Sequence, residues 1–150
     1  MSERRALWLF ILLTLGGGLG VGALSLPGAW FAGLREPAFN PPGWVFGPVW
    51  SVLYVLIGIA GWRLWRVPGA GLARRLWWAQ LALNFLWPPV FFDAHDLRLS
   101  VAVIVALLLV VAALVLAARR QDKLAAWLLL PYLAWVGFAT VLNSAVLALN

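Results

Sequence analysis

The sequence predicts an all-α membrane protein, a bundle of five transmembrane helices, and three observations support this fold class. Of the 150 residues, 65% are apolar and only 11% are charged, whereas a soluble domain carries roughly 25% charged residues. Five uncharged stretches have about the 20 residues that a helix needs to cross a bilayer. The basic residues also cluster in alternate connections between these stretches, as the positive-inside rule requires.

The chain is predicted to form one transmembrane domain over residues 1–150. The first stretch follows Arg4 and Arg5 as a signal peptide would, but it is long and lacks a small-residue cleavage site, so it is predicted to be a span. The last stretch is longer than one crossing needs, which predicts a tilt or a short tail. The predicted spans are residues 6–26, 44–62, 76–92, 99–118 and 124–149.

Charge placement predicts the orientation. Five crossings put nine of the eleven basic residues on one side and only Arg35 and Arg98 on the other. The positive-inside rule then places the N-terminus in the cytoplasm, most simply in a bacterial inner membrane, with an outer membrane as the alternative. The net charge of +6 follows from this topology, and no soluble basic face remains for a nucleic-acid partner.

The connection over residues 27–43 is the longest and is predicted to fold over the end of the bundle as a lid. It contains the aromatic residues Trp30, Phe31 and Phe39. Pro41 and Pro42 hold its end in an extended conformation. A stiff, aromatic-rich corner of this kind favours binding of a flat apolar ligand.

Polar and large aromatic side chains repeat at helical spacing within three of the spans. Such side chains inside a membrane normally face the bundle interior or a cavity. Hydrogen bonds that merely join helices are the alternative for each residue taken singly, but the set as a whole favours a cavity. The three faces are Trp50 and Tyr54; Gln80, Asn84 and Trp87; and Trp135, Ala139 and Asn143.

Other tryptophans and glycines favour structural roles. Glycines of the first span form two small-xxx-small patterns, Gly16/Gly20 and Gly18/Gly22, which suit either packing against another span or a dimer face. Tryptophans near span ends suit an interfacial belt: Trp8, Trp62, Trp65, Trp77, Trp78 and Trp127.

Three segments resemble the TspO/MBR family of translocator and tryptophan-rich sensory proteins. They are PAFNPPGWVFGPVWSVLY at residues 37–54, QLALNFLWPPVFF at 80–92 and PYLAWVGFATVLN at 131–143. The resemblance covers essentially the whole chain. It implies a five-helix bundle that forms a homodimer and binds porphyrins such as protoporphyrin IX, or related flat lipophiles, for tetrapyrrole transport, sensing or regulation.

The resemblance also implies the residues of the ligand pocket, which overlap the faces derived from spacing. They are Trp44, Phe46, Trp50, Tyr54, Asn84, Phe85, Trp135, Ala139 and Asn143, with Trp30, Phe31 and Phe39 in the lid. The chain departs from the family at Phe39, Phe31 and Asp93, where many members carry tryptophan, tyrosine and glycine. The end of the last span lacks the tyrosine and arginine of the sterol motif found in animal members, which gives a sterol ligand little support.

An enzyme is the alternative function. Some family members are reported to degrade protoporphyrin in light, and Trp50 and Trp135 are the catalytic candidates for that reaction. The chain has no cysteine, and its one histidine, His95, lies in a loop between two aspartates, where a solvated imidazole is favoured over a metal ligand. We therefore predict no cofactor and no metal site. A proton-coupled exporter is disfavoured because all five acidic residues lie outside the predicted spans.

Overall fold

The computed structural model describes residues 2–150, and within them the secondary structure is helical. Five long helices are joined by short connections, and one short helix lies in the longest connection. The helices are α1 Glu3–Leu24, α2 Ala29–Ala32, α3 Gly43–Arg66, α4 Gly71–Pro88, α5 Leu97–Gln121 and α6 Lys123–Leu149.

Four of these helices, α1, α3, α5 and α6, are long and apolar enough to cross a membrane. Helix α4 holds most of the third predicted span but is not among the four. Its 18 residues include Arg74, Arg75, Gln80 and Asn84, which lower its mean hydropathy. The helices confirm the all-α class, and a count of five crossings stays a prediction.

The long helices pack side by side in the order α1, α3, α6, α5, α4, and α4 returns to contact α1. Glycines allow the closest approaches. A Cβ added at Gly18 of α1 would lie 2.2 Å from the ring of Tyr54, and one added at Gly61 of α3 would lie 2.4 Å from the ring of Trp77. Gly18 therefore packs within the bundle, as the first of the two alternatives for its pattern predicts.

Trp77 lies in this core and not in an interfacial belt. Only 1% of its surface is exposed, and its indole N–H donates a hydrogen bond of 3.0 Å to the carbonyl of Ile57. The prediction that placed Trp77 in the belt is wrong, because the neighbouring Gly61 opens room for the ring inside the bundle. Trp8, Trp65, Trp78 and Trp127 are exposed on the outer surface.

Two helices contain π-helical turns, in which hydrogen bonds span five residues. The turn Leu12–Gly16 in α1 holds the fully buried Thr14, whose hydroxyl donates 2.7 Å to the carbonyl of Tyr54. The turn Pro89–Asp93 extends α4. Pro88 and Pro89 lack N–H groups and cannot donate regular helical hydrogen bonds at this point.

An aspartate forms the N-cap of each of the last two long helices. Asp96 accepts a hydrogen bond from the backbone N–H of Leu99, and Asp122 accepts from those of Leu124 and Ala125. Each is a favourable N-cap, since the carboxylate satisfies backbone donors that have no partner within the helix. Asp122 is the only residue between α5 and α6, so these helices form a tight antiparallel pair.

Candidate ligand-binding site

A cavity of about 560 Å³ occupies the end of the bundle that lies away from the basic connections. All five long helices and the connection over residues 27–43 contribute to its wall. Small-molecule sites are typically concave, mostly apolar and roughly 300–1,000 Å³ in volume. Its size and lining make this cavity the candidate site.

Most of the residues singled out from the sequence meet in this cavity. The structure brings together the predicted faces of α3, α4 and α6, with one aromatic residue of the connection. The predicted residues that line the cavity are Phe46, Trp50, Tyr54, Asn84, Trp135, Ala139, Asn143 and Phe31, and Trp87 of the α4 face lines it as well.

Four predicted residues lie elsewhere. Trp44 is 76% exposed on the outer surface. Phe85 packs against Tyr54 with ring centroids 6.3 Å apart, and its ring occupies the space beside Gly17. Phe39 is half-exposed and meets Phe138 edge to face. Trp30 stacks on His95 in the neighbouring connection.

A chain of hydrogen bonds crosses the bundle where the cavity meets the core. The Tyr54 hydroxyl donates 2.8 Å to Oδ1 of Asn84, and Nδ2 of Asn84 donates 2.8 Å to the Tyr132 hydroxyl. Tyr132 in turn donates 2.7 Å to Oε1 of Gln80. All four residues are buried. Buried polar groups are costly unless they are paired, so this chain fixes the positions of Tyr54 and Asn84 in the cavity wall.

A second set of hydrogen bonds orients Trp87. Its indole N–H donates 2.8 Å to Oδ1 of Asn143, and Nδ2 of Asn143 donates 3.1 Å to the Ser100 hydroxyl. Ser100 is fully buried and donates 2.7 Å to the carbonyl of Leu97. Because its indole N–H is already hydrogen-bonded to Asn143, the Trp87 ring is held in one orientation where it lines the cavity.

Trp135 differs from Trp87 because its indole N–H has no hydrogen-bond partner among residues 2–150, although the nitrogen is buried. Its ring meets Phe46 edge to face at 5.8 Å, and Trp50 stacks on Tyr54 at 5.4 Å. An unpaired buried donor costs free energy. The ring lines the cavity wall, but neighbouring atoms cover the nitrogen, so a ligand acceptor would reach it only after a side chain in the wall shifts.

The connection over residues 27–43 is tied to its surroundings at several points. Ser25, just before it, donates 2.7 Å to a carboxylate oxygen of Asp93. Trp30 and His95 stack with centroids 4.3 Å apart and planes 9° apart. The side-chain amide of Asn150 accepts from the backbone N–H of Arg35 and donates to its carbonyl, at 3.0 and 2.9 Å. These contacts hold the connection beside the cavity.

Several wall residues had no signal in the sequence. Tyr132 does not line the cavity but supports the wall from behind through the hydrogen-bond chain, and it was not assigned to the site. Phe91 and Phe92 lie in the π-helical turn, which shifts them away from the positions that regular helical spacing gives. The wall also includes Gly18, Leu19 and Gly22 from an apolar part of α1, and Ser25, the residue that follows α1.

Electrostatic pairs lie at the opposite, closed end of the bundle. The Arg63 guanidinium bonds both carboxylate oxygens of Asp122, at 2.8 and 3.3 Å. Partial burial alone would raise the pKa of Asp122, but the hydrogen bonds and charge of Arg63 and the N–H groups of Ala125 and Leu124 hold that pKa below its ordinary value. This pair joins the end of α3 to the start of α6.

No group of three or more histidine, aspartate or glutamate side chains comes together among residues 2–150. His95 has the positive φ of 55° that is uncommon for residues other than glycine, and its imidazole lies against Trp30. The cavity wall offers aromatic rings, amides and hydroxyls for binding a ligand.

Comparison with known proteins agrees with the three segments quoted above. The pattern of the TspO/MBR family matches residues 10–149. The tryptophan-rich sensory protein of Cereibacter sphaeroides is 40% identical over 150 residues, which cover 100% of this chain and 95% of that protein. Human translocator protein is 39% identical over 122 residues, 78% of this chain and 72% of the human protein. The tryptophan-rich protein TspO of Archaeoglobus fulgidus is 39% identical over 123 residues, 81% of this chain and 80% of that protein.

Four apolar helices of spanning length, together with this match, make the chain an integral, multi-pass membrane protein.

Proposed function

This chain belongs to the TspO/MBR family, and we propose that it binds porphyrins and related flat lipophilic ligands in the cavity, for tetrapyrrole transport, sensing or regulation. The observation that carries the proposal is the aromatic wall formed by Trp50, Trp87 and Trp135 around one cavity of about 560 Å³. Aromatic rings bury large apolar area against a macrocycle and favour stacked or edge-to-face contacts.

Polar groups in the wall suit the edge of such a ligand. Asn84 and Tyr54 are fixed by the hydrogen-bond chain, so their polar atoms are preorganised. The N–H of Trp135 has no partner within the fold and would donate to a carboxylate or carbonyl oxygen on the ligand once the side chains that cover it shift. The connection over residues 27–43, through Phe31, Leu34 and Asn40, would act as the lid.

A cavity-filling variant tests the proposal. Ala139→Phe would place a ring inside the cavity, whereas Ala134→Phe, on the exposed outer face of the same helix, adds the same ring to the lipid-facing surface. Purified variants are titrated with protoporphyrin IX in the dark, and quenching of tryptophan fluorescence is followed. We expect saturable quenching in the parent and in Ala134→Phe, and a loss of at least about tenfold in affinity, roughly 1.4 kcal/mol, in Ala139→Phe.

Equal, non-saturating quenching in all three proteins would mean that protoporphyrin only partitions into detergent. Saturable binding that Ala139→Phe leaves unchanged would place the ligand outside this cavity. Either result would contradict the proposed site. A circular dichroism spectrum of each variant confirms that its helices are intact.

Light-dependent degradation of the bound porphyrin is the second candidate function. It is favoured by the presence of both Trp50 and Trp135 in the wall of one cavity, where either indole could supply an electron to a photoexcited macrocycle with dioxygen as the final oxidant. Illumination of the saturated complex in air should bleach the porphyrin absorbance faster in the parent than in a Trp50→Phe, Trp135→Phe variant. Equal bleaching rates would exclude this reaction.

We also propose that the chain crosses the membrane five times with its N-terminus in the cytoplasm of a bacterial cell, in the inner membrane. Helix α4 and its π-helical extension to Asp93 together have the length of a span. The basic residues at the ends of α3 and α5 and at the starts of α4 and α6 then share one side. Labelling of single cysteines, introduced at Ser2 and Asn150, with a membrane-impermeant reagent should modify only position 150 in intact spheroplasts.

A homodimer is the proposed assembly. Gly16 and Gly20 lie four residues apart on the exposed face of α1, and no neighbouring side chain outside α1 lies within 4 Å of a Cβ added at either glycine. A second copy could approach closely there. A mass measurement in detergent should give twice 16.4 kDa, and Gly20→Leu should shift it toward the monomer, whereas a dimer unaffected by that change would contradict this interface.

A further inference from the structure

The closed end of the bundle carries more positive charge than its own acidic groups neutralise. Nine basic residues lie there, against two acidic residues, Glu3 and Asp122. Both acids are already paired, Asp122 with Arg63 and Glu3 with Arg66. Among residues 2–150, no further carboxylate remains at this end for the other cations.

One further arginine is used within the fold. Arg74 donates to the backbone carbonyls of Leu64, Trp65 and Val67. These carbonyls lie at the C-terminal end of α3, where helical acceptors have no partner within the helix and where a positive charge is favourable. Arg74 therefore closes the connection between α3 and α4, and its charge has a structural role.

Six cations at this end have no such role: Arg4 and Arg5 at the start of α1, and four more at the ends of the other helices. We call Arg75, Arg119, Arg120 and Lys123 the basic collar. All four side chains are exposed, and none makes a side-chain hydrogen bond or ion pair with another residue in the range 2–150. They lie at the start of α4, the end of α5 and the start of α6, which are neighbours in the bundle. The collar is therefore one surface made by three adjacent helix ends.

A large exposed apolar side chain lies one helical turn from a collar cation on each of these helices, toward the membrane interior. On α4, Trp78 is three residues from Arg75; on α6, Trp127 is four residues from Lys123. On α5, Leu116 is four residues from Arg120. Residues at these spacings share a helix face. The exposed fractions of Trp78, Leu116 and Trp127 are 53%, 58% and 68%.

This order of side chains matches the profile of a phospholipid. Acyl chains contact the exposed apolar residues, tryptophan rings lie at the level of the headgroups, and the long basic side chains extend outward to the phosphates. Arginine also binds phosphate through two parallel hydrogen bonds. A zwitterionic headgroup brings its own cation, which opposes binding to a surface that is already positive.

We propose that the basic collar binds the phosphates of anionic phospholipids from the membrane leaflet on that side. The inference rests on the chain being a membrane protein and is independent of the cavity and its ligand. The unpaired positive charge at this end would then bind lipid headgroups as well as set the orientation of the chain in the membrane.

Lipid retention tests the proposal. The parent protein is purified in detergent that contains equal amounts of phosphatidylglycerol and phosphatidylcholine, and native mass spectrometry counts the lipids that stay bound. The collar variant carries Arg75→Gln, Arg119→Gln and Arg120→Gln. A charge-restoring variant carries lysine at the same three positions. The control variant carries Arg35→Gln and Arg98→Gln at the opposite end.

We expect the parent, the charge-restoring variant and the control to retain phosphatidylglycerol in preference to phosphatidylcholine. The glutamine variant should retain about thirtyfold less phosphatidylglycerol, since each of the three basic residues near an anionic surface contributes a favourable interaction. Arg75→Gln alone should lower retention by about threefold, which keeps the test available if the triple variant does not fold.

Four results would overturn the proposal. Equal retention of both lipids by the parent would show that charge does not select the headgroup. An equal loss of phosphatidylglycerol in the control would show a general effect of net charge. Displacement of the lipid by millimolar inorganic phosphate would identify a site for the free anion. If the collar only stabilised the end of α5 through the helix dipole, melting temperature would fall in the glutamine variant while lipid retention would not change.

Discussion

The two ends of the bundle are built from similar residues but pack differently. At the closed end, Leu64, Leu114, Ala118 and Leu129 are fully buried, and Trp77 fills the space that Gly61 leaves. At the other end the same helices separate around a cavity of about 560 Å³. Large aromatic residues occur at both ends.

The difference lies in where small residues face large ones. Gly61 accommodates Trp77 at the closed end, so the ring contributes to the core. At the cavity end, Gly22, Gly47 and Ala139 line the wall together with Trp50 and Trp135, and no side chain fills the space between them. The closed end is therefore the packed half of the bundle, and the open end holds a preformed cavity.

The largest expected effect is on stability at the closed end. Trp77→Ala should lower the free energy of unfolding by about 3–5 kcal/mol, because a buried ring is removed and a void remains. The neighbouring Trp78 is half-exposed, so Trp78→Ala is the matched control and should cost less than about 1 kcal/mol. Unfolding by denaturant in micelles measures both. Equal losses would mean that the closed end is not the packed half of the molecule.

The second-largest effect is expected at the hydrogen-bond chain, which lies between the closed end and the cavity. Asn84→Ala removes the partner of both Tyr54 and Tyr132, and stability should fall by about 1–3 kcal/mol because buried hydroxyls lose their hydrogen bonds. Affinity for protoporphyrin IX should fall as well. Thr140→Ala is the control, since the Thr140 hydroxyl bonds only the carbonyl of Val136 in its own helix. Unchanged stability in Asn84→Ala would show that the chain of bonds is not structural.

A third change separates binding from stability at the cavity end. Trp135→Phe removes an N–H donor that has no partner, so the free energy of unfolding should change by less than about 1 kcal/mol. Affinity in the dark titration should fall by about tenfold, roughly 1.4 kcal/mol, if the donor bonds the ligand. Trp127→Phe on the outer surface should change neither quantity. Full affinity in Trp135→Phe would show that this donor does not contact the ligand.

The smallest effect concerns the ion pair at the closed end. The pKa of Asp122 is lowered in the folded state, so its carboxylate stabilises the fold above the ordinary value of 3.8 and that contribution is lost as pH falls through the lowered pKa. Partial exposure limits it to about 1 kcal/mol. In Asp122→Asn, which keeps a good helix cap, this part of the acid dependence should disappear from melting curves recorded from about pH 5 down to below 3.8. An unchanged curve would contradict the assignment.

Helix positions and part of the site follow from the sequence for physical reasons. Uncharged apolar length predicted five spans, four of which coincide with helices long and apolar enough to cross a membrane. Side chains at i and i+4 must share a helix face. That rule placed Trp50 with Tyr54, and Trp135 with Ala139 and Asn143, and all five line the cavity.

The rest depends on features that spacing does not encode. In the apolar part of α1, interior and lipid-facing residues look alike, so the contribution of Leu19 and Gly22 to the wall had no signal. The π-helical turn Pro89–Asp93 moved Phe91 into the wall. The rings of Trp30 and Trp44 lie in or beside an irregular connection, where the path of the backbone decides the direction of each side chain.

Tryptophan oxidation by the bound ligand tests the central claim most directly, because the eleven tryptophans are distributed over both ends and the outer surface. Light absorbed by bound protoporphyrin IX generates reactive oxygen beside it, and peptide mass spectrometry after brief illumination locates the oxidised rings. The cavity predicts that Trp50, Trp87 and Trp135 are oxidised first. Earlier oxidation of the exposed Trp8, Trp78 and Trp127 would show that the porphyrin lies in the surrounding detergent or lipid, and would contradict a binding site at the open end.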